Sequence, residues 1–138
     1  MGITDAVKPV KEVVLTELAT AFLDNFHVVS WGTPGAEADD KIAVTLQIKN
    51  PLEDDLVCVE RLRLTCSTGG TMSLVAGGNG VILDGDGTDD MIIETDAVTG
   101  SFDLEVSNVA ATTITVVSGV TQGSDVCACS STVNLVFA

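Results

Sequence analysis

Apolar and polar residues alternate with period two along Ile42–Ile48, Ser101–Ser107, Thr112–Val117 and Ser131–Phe137, with turns rich in Gly, Asp, Asn and Ser between them. A segment that alternates in this way turns one side to a core and the other to water, as antiparallel strands do. The same reading predicts a first strand within Phe26–Trp31, ended by the Gly32–Gly35 turn and the exposed stretch Ala36–Asp40. Lys41–Lys49 would bury Ile42, Val44, Leu46 and Ile48, and a turn through Asn50, Pro51 and Glu53–Asp55 follows. Leu56–Cys66 predicts a long strand with Leu62, Leu64 and Cys66 inward and Arg61 and Arg63 outward. Glu60 interrupts that alternation, so a bulge or register change is expected between Val59 and Arg61. Shorter strands are expected at Thr71–Ala76, Val81–Leu83 and Met91–Thr95. Inward sets of Phe102/Leu104/Val106, Ile114/Val116 and Val133/Leu135/Phe137 complete the core. The fold class is all-β, an antiparallel sandwich or barrel of about eight strands.

Residues 1–25 have a different character. Val7, Val10, Val14, Leu18, Ala21 and Phe22 recur at three- and four-residue spacing, which is helical, with Asp5 as a cap and Pro9 early enough for a first turn. Val13–Thr16 favours an extended arm instead, because β-branched residues suit strands and a lone helix of this length is marginal. The helix is the better match to the spacing. In either form Leu15, Leu18, Phe22 and Leu23 would be an apolar patch in need of cover.

Composition adds limits. The 138 residues are one domain's worth of chain, with 46% hydrophobic residues to fill a core but 4% aromatic, one Trp and no Tyr, so Val, Ile and Leu do the filling. The 20 acidic and 6 basic residues give a net charge of −14. That field repels phosphate backbones and anionic headgroups, so nucleic acid and membrane surfaces are not expected partners. Acidity of this kind keeps an apolar-rich chain in solution. The opening residues, with Lys8, Lys11, Glu12 and Glu17, lack the apolar core of a signal peptide, and a cytosolic site of synthesis and assembly is expected.

Candidate chemistry is sparse. Cys58 with Cys66, and Cys127 with Cys129, are evenly spaced, so each pair shares one face of a strand. Reduced core thiols fit best; a disulfide between the pairs and a zinc site are the alternatives. His27 is the only histidine and stands without a nucleophile beside it, which favours a structural role. The Asp84–Asp90 loop offers alternating oxygens at Asp84, Asp86, Thr88 and Asp90. Counted from Asp84, the glycine and glutamate positions of an EF-hand hold Asp89 and Thr95, so a solvated acidic loop is expected rather than a calcium site. Arg61 and Arg63 would project together into solvent, with an inter-subunit salt bridge as a further use. No catalytic signature or cofactor motif is present, and an enzyme is not expected.

From Lys41 onward the order of features resembles the Ig-like β-sandwich domains of tailed-phage virion proteins and bacterial invasin-type modules. The strand IAVTLQIKN, the strand VERLRLTCS, the turn Thr95-Asp96-Ala97-Val98-Thr99-Gly100 leading into SFDLEVS, and the closing TTITVV and STVNLVF carry the likeness. It implies an Ig-like sandwich over residues 26–138 with a short N-terminal helix or arm, residues 1–25, as an assembly contact. In organisation the chain is similar to capsid decoration or cement proteins, which bind a head shell and bridge its subunits. The resemblance therefore implies a non-enzymatic virion protein, assembled in the host cytoplasm. Its partner would be the major capsid protein or another virion protein, and homo-oligomers are possible. Val14, Leu15, Leu18, Phe22 and Leu23 are the expected partner-binding residues. The alternative is a tail or head-fibre adhesion module binding host glycans, which usually needs more aromatic platforms than Trp31 alone supplies.

Overall fold

The computed structural model describes residues 26–121 and 130–138. Nine strands build two antiparallel sheets, and no helix occurs among the described residues. They are β1 (Val28–Trp31), β2 (Lys41–Lys49), β3 (Arg61–Cys66), β4 (Thr71–Leu74) and β5 (Val81–Asp84), then β6 (Asp90–Glu94), β7 (Ser101–Ser107), β8 (Thr113–Val120) and β9 (Ser130–Val136). One sheet has the order β1-β2-β7-β4 and the other β5-β6-β3-β8-β9.

Each sheet mixes strands from both halves of the chain, β2 lying beside β7 in one and β3 beside β8 in the other. The β5–β6 hairpin extends the second sheet beyond β3. The all-β sandwich expected from the alternation is thus what forms, with nine strands. The N-terminal helix or arm expected over residues 1–25 lies outside the described residues, as do Val14, Leu15, Leu18, Phe22, Leu23, Cys127 and Cys129.

The period-two pattern sets which side chains meet between the sheets. Ile42, Val44, Leu46 and Ile48 of β2 and Phe102, Leu104 and Val106 of β7 cover one inner face. Leu62, Leu64, Met91, Ile93, Ile114, Val116 and Leu135 cover the other. All belong to one continuous core, closed below by Phe137. Removal of these aliphatic side chains from water is the main stabilising term.

Tight turns are built from residues that accept unusual backbone angles. Asp39 and Asp40 have φ of 53° and 61°, and Ala38 and Lys41 exchange both backbone hydrogen bonds across them. That is a two-residue type I′ reversal leading into β2.

The strands align so that each end of the sandwich gathers particular loops. At one end lie Phe26 and His27, where residues 1–25 join, together with residues 50–60 and the turn 96–100. At the other lie the loops 32–40, 67–70, 85–89 and 108–112 and the chain's last residues, with the Ala138 N–H donating to Glu37.

Candidate functional site

The segment before β3 departs from expectation. Residues 56–60 form no ladder, so the long strand begins only at Arg61. Nor does Glu60 break the alternation. Leu56, Cys58, Glu60, Leu62 and Leu64 all turn inward, while Val57, Val59, Arg61 and Arg63 face out. A carboxylate therefore occupies an inward position, with 3% of its side chain exposed. The expected bulge is replaced by a buried polar group that has its own partners.

Those partners come from two directions. Nδ1 of His27 is in hydrogen-bond contact with Oε1 of Glu60, and 12% of the His27 side chain is exposed. The backbone around Glu60 is held by Thr95, itself buried. The Thr95 hydroxyl donates to the Cys58 carbonyl at 2.8 Å and accepts from the Glu60 N–H at 2.7 Å, and the Thr95 N–H donates to the Glu60 carbonyl at 3.0 Å. One threonine thus supplies backbone partners for Cys58 and Glu60, while the Leu56 N–H donates to the Ile48 carbonyl.

The rest of the Thr95–Gly100 motif is equally structural. Oδ1 of Asp96 accepts from the Val98 and Thr99 N–H groups, and the Gly100 N–H closes the turn on the Asp96 carbonyl at 2.7 Å. Gly100, at φ +68°, lies so close to residue 56 that a Cβ there would stand 1.8 Å from the Leu56 carbonyl oxygen. Only glycine permits both the angle and the approach.

His27, Cys58 and Glu60 consequently converge: one ligand atom from each, the imidazole nitrogen, the thiol sulfur and a carboxylate oxygen, all lie within 4.8 Å of one another. Among the described residues this is the one place where three such groups meet. Cys58 gives no warning of it in the sequence, being 31 positions from His27 by residue number. The inward charge of Glu60 was the available signal.

Other candidates resolve into ordinary structure. In the acidic loop Thr88 donates its hydroxyl to the Gly85 carbonyl, and Asp90 pairs with Arg63 at 2.6 and 2.8 Å. The Asp84, Asp86 and Asp90 carboxylates do not converge as a three-ligand set. Arg63 holds the Asp90 carboxyl below its ordinary range, chiefly through that hydrogen bond, and Arg63 is itself shifted upward. Arg61 pairs with Glu94 at 2.8 Å. Both arginines are thus engaged across the β3–β6 ladder within this chain.

Cys66 lies at the far end of β3 from Cys58, too distant to bridge it. Burial, and secondarily Asp89, push its thiol up to about 11, which keeps it protonated and slow to react. A shallow cleft of about 280 Å³ over β2 is lined by Thr33, Gly35, Ala43, Thr45, Val75 and Asp103. Asp103 there is engaged with the Thr45 hydroxyl and the Asn79 N–H.

The end of the sandwich that carries His27 and Glu60 also exposes large apolar side chains: Leu52 (67%), Val57 (64%), Val59 (50%) and Val98 (78%). Comparison of the chain with family models, curated proteins and solved structures found no match.

Proposed function

We propose that this protein is a non-enzymatic structural protein of a phage virion, a capsid decoration or cement protein that attaches to the head shell and bridges its subunits. The observation that carries the reading is the exposure of Leu52, Val57, Val59 and Val98 at the end where residues 1–25 join the sandwich. Apolar surface of that kind favours a partner over water. Val14, Leu15, Leu18, Phe22 and Leu23 of the preceding segment are apolar residues assigned to the same contact. The sequence likeness to Ig-like virion domains supplies the partner class, the major capsid protein or another virion protein. Many weak copies bound across a symmetric lattice give a strong total hold, because each bridging contact raises the effective concentration of the next. The net charge of −14 keeps unbound copies soluble until they dock.

Co-sedimentation of the full chain with purified capsids tests the reading. Saturation at a copy number fixed by the shell lattice, with greater heat resistance of the loaded shell, is the expected result. Replacing Leu18 and Phe22 by Asp should cut occupancy about tenfold or more, the cost of losing two buried apolar anchors. Absence of shell binding together with binding to host glycans would replace this reading with an adhesion role.

A further inference from the structure

We propose that His27, Cys58 and Glu60 form a binding site for a zinc-class divalent cation. The site does not depend on the virion reading. An imidazole nitrogen, a thiolate and a carboxylate are the three ligand types that zinc takes, and the mixed set suits a borderline ion better than calcium or magnesium, which prefer oxygen alone.

The geometry is close to what such an ion needs. Ligand atoms around tetrahedral zinc stand about 3.5 Å apart, given metal–ligand distances of about 2.0–2.3 Å. Here the three atoms lie within 4.8 Å of one another, so adjustments of about 1 Å bring them to that spacing. In the metal-bound form the His27–Glu60 hydrogen bond opens, the ion takes one lone pair from each group, and the Cys58 thiol releases its proton to solvent.

The surroundings favour the same assignment. Glu60 is the charged residue on the inner face of its stretch and is almost wholly withdrawn from water, where a carboxylate is costly unless a cation or strong donors meet it. Its backbone is fixed on both sides by Thr95, and Cys58, two residues earlier on the same face, is fixed by the same hydroxyl. A ligand pair with its main chain already pinned loses little freedom on binding. Three protein ligands leave a fourth tetrahedral position for water or a group from a docking partner.

The test uses the reduced full-length protein, stripped with chelator and then dialysed against zinc or cobalt(II). One metal per chain is expected, with a thiolate-to-cobalt charge-transfer band and a zinc-dependent rise in the unfolding midpoint. C58S should abolish the band. H27A and E60Q should weaken zinc binding about tenfold or more, while C66S leaves it unchanged. E60Q keeps the shape and hydrogen-bonding capacity of the side chain, and circular dichroism in chelator confirms that each variant is folded. Failure of the wild-type protein to retain metal, or zinc binding by H27A and E60Q equal to wild type, overturns the proposal and leaves a buried His–Glu pair whose role is purely structural.

Discussion

Strand β2 and the stretch 56–66 alternate with the same period, yet they bury different chemistry and are held in place differently. β2 turns four aliphatic side chains inward and is bonded on both flanks, by β1 and β7. The 56–66 stretch turns inward a leucine, a cysteine and a glutamate before it reaches Leu62 and Leu64, and its first half has no ladder. In β2 the hydrophobic effect alone fixes which face is buried. Ahead of β3 the buried face is fixed by side chains reaching in from elsewhere, Thr95 to the backbone and His27 to the carboxylate.

The contrast is broken most severely at Gly100. Gly100→Ala places a Cβ against the Leu56 carbonyl and strains a positive φ, so unfolding in denaturant should show a loss of about 3–4 kcal/mol with the m-value unchanged. If the loss is below about 1 kcal/mol, residues 56–60 are not clamped by this turn. Thr95→Val is isosteric and keeps the buried volume but removes the hydroxyl that serves Cys58 and Glu60. A loss of about 2 kcal/mol is expected from two hydrogen bonds and the polar groups they leave behind. Amide exchange of Glu60 should accelerate while that of Leu46 in β2 stays slow, which separates local release from global unfolding.

The smallest effect belongs to the exposed Arg63–Asp90 pair on the outer side of β3. The Asp90 carboxyl titrates below its ordinary value of 3.8, so its contribution is present at neutral pH and is lost as pH falls through the lowered folded-state value. Asp90→Asn should therefore lower stability slightly at pH 7 and match wild type in strong acid, as read from unfolding midpoints across pH. A difference that persists unchanged into strong acid would show that the carboxylate charge is not what matters.

Much of the fold was readable from alternation alone. The inward residues of β2, β7 and β8 were each assignable by counting in twos, because a half-buried strand leaves no other arrangement for its apolar side chains. The same count failed at Glu60, where the charge suggested a bulge and the chain instead kept its period and paired the carboxylate. Counting in twos says where a side chain points but not what will meet it there. His27 was a second case: its partner lies 33 residues away in sequence, across the joint between β1 and the loop before β3, and nothing local announces the pairing. The Thr95–Gly100 turn is visible in the sequence as a pattern, but its purpose as a clamp on residues 56–60 is visible only in the hydrogen bonds.

The Ala138–Glu37 hydrogen bond sets the last residue beside the loop before β2, at the pole opposite His27. A fluorescent protein or affinity handle appended after Ala138 would be displayed roughly 25–30 Å from His27, one strand length away. Such a fusion leaves the His27 pole unobstructed.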